Sequence, residues 1–221
     1  MSNAPIISTR LRRHIVETPP CIRAASGVII NGVRVKSLLF STDVAIIRNS
    51  NADAVIAVYP FTPTIEIARA IISIAQRPVF VGVGGGTTSG PRVNDIALDA
   101  ELNGAIAVVL NAPTKTEFIK NLAEKIDIPI VLTLVSEREN LRERLDSGAM
   151  LVNVSGGRNT PALVRAVRDI APDFPIIATG GPTDESIMET IAAGANAITY
   201  TPPTSAELFS VSMAKYRRQL D

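Results

Sequence analysis

Apolar runs of a few residues alternate along this chain with longer segments whose apolar positions recur every three or four residues, and the beat persists from residue 35 to the end. Runs dense in Val, Ile, Leu and Ala at Val35–Phe40, Ala54–Tyr59, Val79–Val83, Ala105–Asn111, Ile128–Val135, Met150–Ser155, Ile176–Thr179 and Ala197–Thr201 predict strands covered on both faces. Helical patterns lie between them at Asp43–Asn49, Pro63–Gln76, Pro91–Leu102, Lys115–Ile126, Arg138–Asp146, Thr160–Ile170, Thr183–Ala193 and Ala206–Gln219. Ile176 to Thr201 is the clearest unit. It reads strand, glycine turn, acid-started helix, glycine stop and strand, which is one βαβ crossover of a parallel sheet.

Eight such pairs in 221 residues predict an α/β fold, a closed (β/α)8 TIM barrel. An open doubly wound parallel sheet is the alternative, because alternation alone does not show closure. The chain is expected to form a single domain over 1–221, with 1–34 as an N-terminal cap. Within that cap, Pro5–Glu17 predicts a short amphipathic helix ended by Pro19-Pro20. Asn31-Gly32 between Val28–Ile30 and Val33–Val35 predicts a hairpin with a type I′ turn, plugging the bottom of the barrel. Cys21–Ala25 is an alternative first strand.

Composition narrows the setting. With 22 basic and 21 acidic residues there is no net field to gather nucleic acid or an anionic membrane, despite the local cluster Arg10, Arg12 and Arg13. The single cysteine, Cys21, permits no internal disulfide, and Met1–Pro20 lacks the apolar segment of a secretion signal. A cytoplasmic protein that takes a small-molecule ligand is expected, with a homo-oligomer left open.

In a barrel the ligand sits where the strands end and the βα loops gather. Polar residues enter the strands there with one parity: Thr133, Asn153 and Ser155, Thr179, Thr199 and Thr201. That parity puts each set on one face, either lining a site or filling a narrow interior with hydroxyls bonded to one another. Gly156-Gly157 before Thr160 and Gly180-Gly181 before Asp184 form a quasi-repeat, able to bring backbone N–H groups and helix starts to an anion, with Arg158 alongside. The plain alternative is a tight strand-to-helix turn. Gly84 to Gly90 is a third glycine loop and a candidate lid, with Arg92 at its far end.

The acid–base inventory is short. His14 lies outside the barrel strands, no Lys ends a strand, and no clustered Cys/His pattern marks a zinc site. Asp43 and Glu137 follow strands on opposite sides of an eight-stranded barrel and are the candidate catalytic carboxylates, able to divide acid and base work or share a magnesium ion; each is equally explained as a helix cap. Tyr59 and Asn111 end two further strands and can touch a ligand or close a turn.

Thr179-Gly180-Gly181, the Ala193-Gly194-Ala195-Asn196-Ala197-Ile198 lead into the last strand, and the overall beat resemble the ribulose-phosphate-binding group of aldolase-type (β/α)8 barrels. The resemblance implies a small phosphorylated metabolite held after the seventh and eighth strands, with Gly180, Gly181, Thr201 and Thr204 as contacts. Thr201-Pro202-Pro203-Thr204 departs from it, since proline has no N–H to donate. Three functions remain open: an isomerase or lyase acting by proton abstraction on a small metabolite, a non-catalytic sensing barrel resembling glycerol-uptake antiterminators, and a metal-assisted hydrolase.

Overall fold

The computed structural model describes residues 15–218. Its first pairing is the expected hairpin, β1 (Val28–Ile30) against β2 (Val33–Val35), turned by Asn31 at φ 48° and Gly32 at φ 81°. Eight parallel strands then follow: β3 (Ser37–Phe40), β4 (Ala54–Ala57), β5 (Val79–Gly84), β6 (Ala107–Leu110), β7 (Ile130–Leu134), β8 (Leu151–Val154), β9 (Ile176–Thr179) and β10 (Ala197–Tyr200). β10 pairs with β3 through Ile198 opposite Ser37, so the sheet closes into a barrel and the open-sheet alternative falls.

The helices are α1 (Val44–Arg48), α2 (Ile65–Ile74), α3 (Pro91–Leu102), α4 (Thr116–Ala123), α5 (Leu141–Leu145), α6 (Thr160–Ile170), α7 (Asp184–Ala192) and α8 (Ser205–Arg217). α5 is shorter than its pattern predicts because Asn140 accepts the Glu143 N–H and caps it there. None of the described helices is long and apolar enough to cross a membrane.

Two cores result from the alternation of side chains across each strand. Inside the barrel, Leu38, Ile56, Phe80, Val109, Val131, Leu151 and Ile177 join Val28, Ile30 and Val35 of the hairpin, which therefore plugs the barrel as expected. Outside, Leu39, Val81, Leu110, Leu132, Val152 and Ile198 pack with the helices.

The N-terminal segment differs from its pattern. Residues 1–14, with most of the expected helix, the arginine cluster and His14, lie outside the described residues. Residues 15–17 are extended: Val16 bridges to Ser50, and Thr18 is pinned by its N–H and hydroxyl to Asn51 Oδ1. The alternative first strand is instead a 3-10 turn, Pro20–Ala24, that buries Ile22 in the outer core and packs on α7. At the foot of the barrel, Arg168 donates to the carbonyls of Gly194, Pro172 and Phe174 and to Asn196 Oδ1. The Ala193–Asn196 lead is thus a structural knot at the end away from the βα loops.

Candidate functional site at the barrel mouth

Asp43 follows β3 as the N-cap of α1, its Oδ1 accepting from the N–H groups of Ala45 at 2.8 Å and Ile46 at 3.1 Å. Its other oxygen accepts from Ser205 Oγ, at the start of α8. The Ser205 hydroxyl is the main cause of a carboxyl held below its ordinary pKa; burial opposes it, and the two amides add to it. The cap expected from sequence is therefore present, with a second tie that no local pattern signals.

Tyr59 follows β4, and its hydroxyl oxygen accepts the Thr64 N–H at 2.9 Å, closing the turn into α2. That bond uses an oxygen lone pair and leaves the phenolic proton available to donate. Asn111 follows β6: its backbone bonds Gly84 and Thr114, while its carboxamide has no partner among the described residues. The loop after β5 is tied at its base, Gly85 N–H donating to Thr88 O at 2.8 Å, with Thr88 buried. Gly85 has φ 92°, and a Cβ there would stand 1.8 Å from Thr114 Oγ1, so glycine is required by close approach as well as by backbone angle.

These residues surround two adjoining cavities of about 510 and 570 Å³ that share Val58, Tyr59, Pro60 and Asn111. The first adds Gly82, Gly84, Gly86, Thr87, Thr88, Pro113, Thr133 and Val135; the second adds Ser41, Thr42, Asp43, Thr201 and Thr204. Asp43 and Tyr59 are the ionisable side chains of this lining, which includes no Lys, Arg or His. Within the barrel below, Thr179 Oγ1 donates to Ser155 Oγ at 3.3 Å, whereas Asn153 Oδ1 and Thr199 Oγ1 are buried without a partner. Part of the inner polar set thus bonds to itself and part is left unsatisfied.

Asp43, Tyr59, Asn111, Thr201 and Thr204 therefore come together at one mouth. Thr204 also caps α8 in a reciprocal box with Glu207. Gly156, Gly157, Arg158, Thr179, Gly180 and Gly181 are not among the residues lining either cavity. The Gly156 N–H is taken by Thr160 Oγ1, while the N–H groups of Gly157 and Gly181 have no partner among the described residues. Gly180 has no left-handed backbone, and a Cβ there would lie 2.7 Å from Ile198 Cγ2 and 2.8 Å from Ile187 Cγ1. A bulky residue at 180 would therefore disturb the packing itself. Glu137 is exposed, lines neither cavity, and precedes the cap of α5 rather than forming it.

Sequence reasoning passed over Arg144, which looks like one more charge on a short helix. It is buried at 8%, and its guanidinium reaches under the β6–α4 loop to the carbonyl oxygens of Thr114 and of Ala112, the latter at 2.6 Å. Its Nε lies 3.2 Å from Glu139 Oε2, near enough for an ion pair though off the angle of a hydrogen bond. Glu139 in turn accepts the Val135 N–H at 3.1 Å. This network positions the Asn111–Pro113 wall of the mouth.

No protein-family model matches the chain, and no curated protein sequence matches it. Solved structures do. 2,3-Dimethylmalate lyase, a member of the PEP mutase/isocitrate lyase superfamily, is 14% identical with a TM-score of 0.61, covering 90% of this chain and 84% of its own. Phosphoenolpyruvate phosphomutase from Streptomyces platensis subsp. rosaceus is 14% identical with a TM-score of 0.61, over 89% and 83%. A mandelate oxidase is 14% identical with a TM-score of 0.64, over 80% and 68%. The chain has the (β/α)8 TIM-barrel fold. Three different chemistries on that fold mean that the site must carry the functional argument.

Proposed function

We propose that the chain is a lyase- or isomerase-type enzyme that takes a small metabolite into the barrel mouth between Tyr59 and Asn111 and moves a proton there. The observation that carries the reading is the meeting of two cavities at these residues, with a carboxamide left unpartnered and the Asp43 carboxylate and Tyr59 hydroxyl on one wall. Asn111 would hold a ligand oxygen. Tyr59, its oxygen already fixed by Thr64, would donate the proton. Asp43, ionised well into the acid range, would accept one; its depressed basicity suits a proton already acidified by a neighbouring carbonyl.

A phosphate on the ligand would find no cationic side chain in either cavity. Its place in this reading is the neighbouring β8 and β9 ends, where Gly157 and Gly181 keep free N–H groups and Arg158 can add charge. Thr201 and Thr204 would then face the middle of the ligand.

Asp43 and Glu137 are not placed to share a magnesium ion: β7 stands opposite β3 in the ring, Glu137 lines neither cavity, and no group of three or more His, Cys, Asp or Glu able to hold a metal occurs among the described residues. A metal-assisted hydrolase built on these two acids would need them brought together, and they stand on opposite sides of the ring.

A sensing barrel is the second reading, favoured by the commitment of Asp43 to capping α1 and binding Ser205. Incubation in D2O with a panel of small keto and hydroxy acids, with and without phosphate, separates the two. Deuterium entering a ligand, and lost with Tyr59→Phe and Asn111→Ala, is expected of the enzyme; saturable binding without exchange supports the sensor; absence of any binding defeats both.

A further inference from the structure

The barrel interior is built in levels. When the strand pairings are followed around the tilted ring, inward side chains of alternate strands share a height. Leu38, Phe80, Val131 and Ile177 form one such level, and it is wholly apolar. In the next level toward the mouth, Ile56 and Val109 are joined by Asn153 and Thr199. Above it stand Phe40, Gly82, Thr133 and Thr179.

Near the top, Thr179 Oγ1 finds a partner in Ser155 Oγ. One level down the polar groups do not. Thr199 is 7% exposed, and its Oγ1 and Asn153 Oδ1 are both shielded from solvent with no hydrogen-bond partner among the described residues. Buried polar groups left unpaired are costly, so two in one level call for an occupant. The 510 Å³ cavity reaches that level: its lining descends from Asn111 and Val58 past Gly82 and Thr133 to Val109. Gly82 has no side chain with which to close the level above.

We propose that Asn153 and Thr199 form a hydroxyl-binding subsite at the floor of this cavity, and that the ligand is a small acid whose far end carries a hydroxyl. The proposal rests on the mouth as the ligand site and adds the chemistry of the end that points inward. One ligand hydroxyl satisfies both groups, donating to Asn153 Oδ1 and accepting from the Thr199 hydroxyl. With the carboxamide turned over, it accepts from Nδ2 and donates to Thr199 Oγ1, so the fit holds in either amide orientation. A methyl group would leave both unpaired. A carboxylate or phosphate would be buried where the cavity lining offers no cationic side chain. Asn111 stands two residues above Val109 along β6, a rise of roughly 7 Å, which a chain of about three or four carbons spans with a hydrogen bond at each end.

Titration of the labelled native chain with 5-hydroxy-2-oxopentanoate and with 2-oxopentanoate, which differ in the terminal hydroxyl, tests this. The hydroxylated acid should bind about tenfold or more tighter and shift the Asn153 carboxamide and Thr199 amide resonances. Thr199→Val keeps the shape and removes the hydroxyl. It should cut the preference to about threefold or less, without lowering Tm, because the lost hydroxyl had no partner. Thr199→Ser should restore the preference. Equal affinity of the native chain for the two acids, as when a trapped water satisfies the pair, overturns the floor subsite, and so does a preference that survives Thr199→Val. Either result leaves the reading of the mouth in place. No saturable binding of either acid also overturns the subsite, and the mouth is then judged separately by the wider panel of acids.

Discussion

Replacing Arg144 by alanine should both destabilise the barrel and loosen the Asn111 wall of the mouth. The truncation leaves the Thr114 and Ala112 carbonyls without their donor and Glu139 without its cation. Removing one partner of a buried charged pair costs about 3–5 kcal/mol. The Glu139 side chain keeps 20% exposure and can be partly rehydrated, which places the expected loss near the lower end, about 3 kcal/mol. For a chain of this length each kcal/mol moves Tm by roughly 2–4 °C, so a drop of about 6–12 °C is expected. Scanning calorimetry and guanidinium unfolding should agree on the loss. Arg144→Lys should recover less than half of it, since one ammonium cannot reproduce a fork that reaches two carbonyls. Melting of Arg144→Ala within about 2 °C of the native chain would refute the reasoning.

Asp43→Ala should cost about 1 kcal/mol as a lost helix cap, read by thermal melting. Because the folded carboxyl is held below its ordinary pKa, its contribution is present above the unfolded value and fades as pH falls through the lowered folded value. Ser205→Ala should therefore raise the Asp43 pKa, seen in the titration of its carboxyl resonance, and weaken the acid-side stability. Gly85→Ala should be severely destabilising, with its Cβ driven onto Thr114 Oγ1, whereas Gly157→Ala, with open space around it and φ 61°, should cost only about 1–2 kcal/mol in unfolding assays. Gly180→Ala should cost about 1–3 kcal/mol by overpacking against Ile187 and Ile198, again read by denaturant unfolding.

Much of the fold was legible because barrel strands are covered on both faces, so runs such as Val79–Val83 stand out whole. The hairpin plug was legible from Asn31-Gly32, the short pair that tolerates positive φ. The parity of Thr133, Asn153 and Thr179 located the inner face. The Ser205–Asp43 bond was not legible, because the two residues stand 162 positions apart and each has an ordinary local explanation. Arg144 was hidden for the same reason: its role depends on a neighbouring loop, while its own helix offers only alternating charges. The amphipathic pattern around Ile15 and Val16 pointed to a helix, yet pairing with Ser50 and the Thr18 bonds to Asn51 hold that stretch extended.

The most direct measurement is a titration of isotopically labelled native chain with small keto and hydroxy acids and their phosphorylated counterparts, following backbone and side-chain amide resonances. Saturable shifts centred on Asn111, its carboxamide included, and on Tyr59 and Thr201 are expected, with affinity lost in Asn111→Ala. Shifts confined to Gly156–Arg158 and Gly180-Gly181, with Asn111→Ala binding as tightly as the native chain, would contradict a site at the mouth.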